Sequence, residues 1–291
     1  MKEFASVNFP LDSEGRTYHV ECKQGDFASR ILTVGDIHRA KRISKLLQKI
    51  TTIIDSKRGF YTITGTYKGI HVSIISIGMG YPVLDMFLRE VRAVTPGPLL
   101  VIRFGSCGSI GDVTAGSVCV ATGGVMVTKN YDHWRHQYTD SQYSAIDSVP
   151  YLISSVIPSD KELTEQLILQ LEKVAKVAKG IDATADSFYS SQGRTDISFG
   201  DENENLIELL REKVPGCETL EMESAMLLHL AQVCTFQSKK VVNHPGPIRA
   251  TACAMVFFQR LTNMGIAPDV VEPLEYTAGQ AVLEALINTP L

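Results

Sequence analysis

Basic charge is in short supply. The chain has 28 Lys and Arg against 32 Asp and Glu, a formal net charge of -4. Nucleic-acid-binding domains normally carry a basic stripe or a domain-wide excess. With no such footprint, an anionic ligand has to be met by a locally built pocket. Long apolar runs are missing as well: Ile74 to Ile77 and Pro98 to Ile102 fall far short of the roughly 20 residues of a bilayer-spanning helix, so no membrane partner is expected. The first residues lack the basic, apolar and small-residue succession of a secretory leader, and a cytoplasmic location is the expectation. The 6 cysteines, Cys22, Cys107, Cys119, Cys217, Cys234 and Cys253, are scattered, without the close pairs of a zinc site. The 7 histidines include no His-Glu-x-x-His run, so neither a catalytic metal nor another cofactor is expected.

What is present is ordinary for a folded chain: 291 residues, 44% hydrophobic and 21% charged, with no repeat, low-complexity tract or linker, which reads as one domain over 1–291. Short β-rich runs at Ile31–Val34, Val72–Ile77, Leu99–Phe104 and Ser117–Ala121 alternate with helical patterns. Helices are expected at Ile37–Lys49, Pro82–Val94, Lys161–Ala178, Glu202–Glu212, Glu223–Gln232 and Asp269–Ile287. That alternation predicts an α/β fold with a mainly parallel or mixed sheet covered by helices. Asp36 is placed to cap the first helix and Pro82 to open the second. Lys129–Pro158 and Thr235–Arg249 are polar and turn-rich and read as loops.

Four segments carry chemistry. Thr33-Val34-Gly35-Asp36, followed by Arg39, is a strand turning through glycine into a helix, a geometry that offers backbone N–H groups and a positive helix end to an anion, with a forked donor added. It is also a commonplace structural turn. In Arg103-Phe104-Gly105-Ser106-Cys107-Gly108 a charge ends an apolar strand before a glycine-rich turn; such a charge needs either a buried acid or a bound anion, and the Ser106 hydroxyl can serve the same anion. Phe188-Tyr189-Ser190-Ser191-Gln192-Gly193-Arg194 sets a stacking aromatic beside an amide and a guanidinium, a set that suits a planar ring with adjacent carbonyl and N–H groups. The bland reading is a polar turn. Glu221-Met222-Glu223 opens a helix, where acids commonly serve the dipole, yet one of the two glutamates can also chelate a sugar diol.

Taken in order, these segments resemble the family of purine nucleoside and uridine phosphorylases, from about His19 to the last helix. The resemblance implies a single α/β domain around a distorted, partly closed mixed sheet (a partly closed barrel surrounded by helices). It further implies a homo-oligomer, a dimer or hexamer, with active sites shared between subunits. Its phosphate site would be Gly35, Arg39, Arg103 and Ser106, with Arg58 reaching in from a neighbour. Its ribose site would be Met222 and Glu223, with His19 lent by a neighbour, and its base site Phe188, Gln192, Arg194 and Arg260. Purine members place an aspartate on a late strand, whereas Ala254–Arg260 here holds no acid. Gln192-Gly193-Arg194 and Arg260 resemble the uridine members; the run Arg58-Gly59-Phe60 looks more like the bacterial purine enzymes.

The expectation is therefore phosphorolysis of uridine to uracil and ribose 1-phosphate, with inorganic phosphate as co-substrate and Arg103, Glu223, Gln192 and Arg194 carrying the catalysis. Arginines would position phosphate at the anomeric carbon. Glu223 would hold the 2′-hydroxyl, and Gln192 and Arg194 would stabilise charge on the departing base. The alternatives are a purine nucleoside phosphorylase and a catalytically silent nucleoside-binding paralogue. Nucleoside hydrolysis would leave the arginine-rich anion site unexplained.

Overall fold

A computed structural model describes residues 6–134 and 149–291. In chain order its elements are β1 (Arg30–Val34), α1 (Ile37–Ser44), β2 (Lys49–Asp55), β3 (Tyr61–Tyr67), β4 (Ile70–Ser76), α2 (Tyr81–Val94), β5 (Leu99–Ser109), β6 (Val118–Lys129) and α3 (Tyr131–Trp134). There follow β7 (Tyr151–Ile153), β8 (Ile157–Pro158), α4 (Lys161–Leu171), β9 (Val177–Ala185), α5 (Leu206–Lys213), β10 (Cys217–Glu221), α6 (Ser224–Ser238), β11 (Ile248–Gln259), β12 (Met264–Gly265) and α7 (Pro268–Asn288). Among the described residues no helix is long and apolar enough to cross a membrane.

One mixed sheet joins all the strands. β1 lies parallel to both β4 and β5, and β3 and β2 continue the sheet antiparallel to its open edge. At the other end β5 pairs with β11, β11 with β6, β6 with β9, β9 with β10 and β10 again with β5. The hydrogen-bonded path thus closes on itself, the expected partial closure, and only Thr219↔Ser109 and Leu220↔Gly108 join β10 to β5.

Alternation along β5 decides what meets what. Leu100, Ile102 and Phe104 pack with α1, α4 and α7. Leu99 and Val101 pack on the opposite face with α2 and α6. A strand turns successive side chains to opposite faces, so Arg103 falls in step with Leu99 and Val101, toward the face where α2 and α6 begin.

Several boundaries differ from the sequence reading. The first helix stops at Ser44, short of the expected Lys49, and Lys49–Asp55 is a strand: Ile-Thr-Thr-Ile-Ile is β-branched throughout, which suits a strand. The helix expected over Lys161–Ala178 ends at Leu171, and β9 starts at Val177. The turn expected after Arg103 is instead a continuation of β5 to Ser109, paired along its whole length with β11. Of the two expected loops, Lys129–Pro158 contains α3, β7 and β8, and its residues 135–148 lie outside those described. Thr235–Arg249 begins inside α6 and ends in β11. What remains of it is fixed by Arg92, whose guanidinium donates to the carbonyls of Thr95, Gly97 and Pro245. Gly246 adopts φ +135°, and an added Cβ would meet the Gly97 carbonyl oxygen at 2.5 Å. Asp36 does cap α1, accepting from Arg39 N at 2.8 Å, and proline does occupy the first turn of α2.

Candidate active site

A cavity of about 930 Å³ opens where β1, β5, β10 and β11 end. Its wall brings together ten of the twelve residues singled out from sequence: Gly35, Arg39, Arg103, Ser106, Phe188, Gln192, Arg194, Met222, Glu223 and Arg260. They come from α1, β5, and turns and strand ends far apart in the chain, and the cavity is where those segments converge.

At its centre Arg103, only 4% exposed, faces two carboxylates. Its Nη2 donates to Glu223 Oε2, and its Nε lies 3.4 Å from Glu221 Oε2. Among the described residues Nε and Nη1 find no hydrogen-bond acceptor. A buried guanidinium with unfilled donors is costly, and an anion brought to those nitrogens would remove that cost.

The two glutamates do different work. Glu221 binds the start of α6, accepting from the Glu223 and Ser224 N–H groups and from the Thr184 hydroxyl. Burial opposes its charge, but Arg103 and these donors outweigh burial and hold its carboxyl below the usual range. Glu223 accepts from the Gly80 N–H at the head of α2. Burial pushes its carboxyl up to about 7, with Arg103 opposing and Glu221 adding. A third carboxyl, Asp182, accepts from the Thr219 hydroxyl at 2.7 Å; burial and then Glu221 push it well above the usual carboxylate range. Sequence spacing paired Glu221 with Glu223 but gave no sign of Asp182.

The 3₁₀ turn Ser190–Gln192 carries the amide, and Gly193 closes it at φ +61°. Arg194 donates to Gln192 Oε1 and to the Phe188 carbonyl, and its guanidinium stacks 3.8 Å from the centre of the Phe188 ring. Burial, and then Arg260, lower the Arg194 pKa to about 10. Arg260 donates to the carbonyls of Gln192 and Gly193, so it clamps the turn that presents the amide. The cavity wall from the end of β11 and the residue after it, Phe257, Phe258, Gln259 and Arg260, contains no acid.

The Gly35 and Arg39 end is completed by Asp36, Gly78 and Met79. The sequence reading passed over the last two, although Gly78-Met79-Gly80 directly after an apolar strand was a visible signal. His19 and Arg58 are not in the cavity wall. His19 Nδ1 lies 2.6 Å from Glu90 Oε1, and Arg58 donates to the Tyr18 hydroxyl at 3.1 Å and lies over the Tyr18 ring. The Tyr18 ring meets His19 edge-on at 5.0 Å, so the two residues form one surface cluster apart from the cavity.

Comparison with known proteins fits this geometry. Residues 29–237 match the model of the phosphorylase superfamily. A uridine phosphorylase of Thermococcus kodakarensis is 31% identical over 268 residues, 88% of this chain and 89% of that protein. A DeoD-type purine nucleoside phosphorylase of Proteus mirabilis is 32% identical over 177 residues, 60% of this chain and 67% of that one. Among solved structures, a uridine phosphorylase study in the oomycete Phytophthora capsici provides a chain with TM-score 0.89 and 36% identity, covering 99% of this chain and 100% of that chain. A Trypanosoma brucei nucleoside phosphorylase shares the fold at TM-score 0.78 and 21% identity, covering 97% and 100%.

Proposed function

The chain belongs to the phosphorylase superfamily, and we propose that it is a uridine phosphorylase, a pentosyltransferase that cleaves uridine with inorganic phosphate to uracil and ribose 1-phosphate. One observation carries the reading: a single cavity holds a buried arginine with unfilled donors, an acid pair at a helix start, and an amide clamped between arginines.

Phosphate occupies the end formed by Gly35, Arg39, Arg103 and Ser106, and its approach to Arg103 fills the empty nitrogens. Positioning it beside the anomeric carbon replaces a bimolecular encounter. Met222 and Glu223 hold the ribose. A Glu223 carboxylate against the 2′-hydroxyl stabilises the cationic sugar of the transition state, and it becomes available as phosphate competes for Arg103. Phe188 covers the base, while Gln192 offers a donor and an acceptor to the uracil edge. Arg194, with Arg260 behind it, supports the negative charge that develops as the base leaves. The reaction needs phosphate and no further cofactor.

Arg58 and His19 serve the cavity of a neighbouring subunit, the phosphate and the 5′-hydroxyl respectively, in a homo-oligomer working in cytoplasmic pyrimidine salvage. Their joint placement outside their own chain's cavity supports this. A purine specificity is favoured by the run Arg58-Gly59-Phe60 and by the partial likeness to DeoD-type enzymes, and is opposed by Gln192 and Arg194. With phosphate present, the protein is expected to release base from uridine at least a hundredfold faster than from inosine at equal concentration; the reverse preference would overturn the uridine assignment.

A further inference from the structure

Arg39 arrives at the cavity already gripped from behind. Its Nε donates to Glu275 Oε1 at 2.9 Å and its Nη1 to the Phe104 carbonyl at 3.3 Å, and the guanidinium carbon lies 5.5 Å from the centre of the Phe104 ring. The side chains of Arg39 and Glu275 are 5% and 6% exposed. A guanidinium is a planar fork of fixed donors, so restraining Nε and Nη1 dictates where Nη2 points. That nitrogen lies 3.8 Å from Oδ2 of the half-exposed Asp36, beyond hydrogen-bond length, and is left for a ligand.

Glu275 stands on α7, two residues after Pro273, and is 236 residues away from Arg39 in sequence. Its second oxygen accepts from Arg42, which also binds Glu272 at 2.6 Å. One carboxylate is thus shared between two guanidiniums and does not neutralise either. A long side chain that must be ordered by its ligand gives up rotamer entropy on binding, whereas one held in place beforehand has already lost it.

We propose that Glu275 is a positioning residue for phosphate: it fixes the Arg39 guanidinium with one nitrogen directed at the anion, while Arg42, by drawing on the other oxygen, keeps that carboxylate from cancelling the Arg39 charge by itself. This rests on the reading of the Gly35–Arg39 end as the phosphate site. It assigns the C-terminal helix a part in binding a substrate that it does not touch.

The test is Glu275→Gln, which removes the charge at constant size, beside Glu275→Asp, which keeps the charge but shortens its reach. In both, the phosphate KM is expected to rise tenfold or more, with the uridine KM and the kcat at saturating phosphate staying within threefold of the parent. Equal loss of kcat with an unchanged phosphate KM would make Glu275 merely structural and overturn the proposal. A phosphate KM that falls in the Gln variant would show that Glu275 competes with phosphate, and would also overturn it. If neither variant folds, Arg42→Gln, at a side chain 21% exposed, turns Glu275 wholly onto Arg39; a threefold or larger rise in phosphate KM supports the proposal and no change refutes it. Phosphate affinity is read independently from the rise of melting temperature with inorganic phosphate. A parent that binds phosphate but cleaves no uridine therefore overturns the functional reading, while the variants still decide the role of Glu275.

Discussion

Arg103→Ala removes the guanidinium that Glu221 and Glu223 both face. Breaking one side of a buried ion pair typically costs about 3–5 kcal/mol. Glu221 keeps the Thr184 hydroxyl and two backbone N–H donors, and Glu223 keeps the Gly80 N–H, which puts the variant at the low end, about 3 kcal/mol at pH 8. Protonation sets a limit on the loss. The Glu223 carboxyl titrates at about 7 in the folded protein against an ordinary value of 4.5. A carboxyl raised on folding contributes most below its unfolded value, and that contribution declines as pH rises toward the folded one. In the parent this decline ends near pH 7; in the variant, where no arginine opposes burial, it extends to higher pH, so the stability gap should be smaller at pH 6 than at pH 8. Urea denaturation of both proteins at pH 6 and 8 measures it. Repeating the titration in phosphate adds a second reading, since a ligand at a hundred times its Kd stabilises by about 2.7 kcal/mol, a gain expected in the parent and absent from the variant. A variant as stable as the parent at pH 8, with the same gain from phosphate, would refute the view of Arg103 as both charge hub and anion ligand.

Two further outcomes follow from the site. Gln192→Ala should lower kcat/KM for uridine by one to two orders of magnitude, because unmatched polar groups on substrate and site cost about 1–3 kcal/mol, while stabilisation by phosphate stays at the parental level; parental cleavage of uridine would dismiss the base-site assignment. Mixing Arg58→Ala and Glu223→Ala chains, each inactive alone, should restore about a quarter of parental activity if the subunits pair at random in a two-fold dimer that exchanges Arg58, and no recovery would rule that exchange out.

Much of the site was legible because its parts are local. A glycine turn ahead of Arg39, a charge closing an apolar run and an amide between an aromatic and an arginine are each readable within about seven residues, and the cavity gathers all three. The period-2 pattern of β5 even assigns Arg103 to the face on which α2 and α6 begin. What escaped depends on contacts made across long stretches of chain. Glu275 is separated from Arg39 by 236 residues, and Asp182 stands on a strand whose first two residues, Val177 and Ala178, read as the end of a helix. Arg260 looked like a base contact, and its hydrogen bonds to the backbone of Gln192 and Gly193 are visible only in three dimensions. The closure of the sheet through two residue pairs between β10 and β5 leaves no local trace at all.

The central claim is that phosphate, and not water, attacks the anomeric carbon of uridine here. Its most direct measurement is the stoichiometry of products from uridine in phosphate buffer, with uracil followed by absorbance and the sugar identified by phosphorus NMR. One ribose 1-phosphate for each uracil, with no uracil released when phosphate is omitted, is the predicted result. Free ribose, or uracil release that is indifferent to phosphate, would contradict the account.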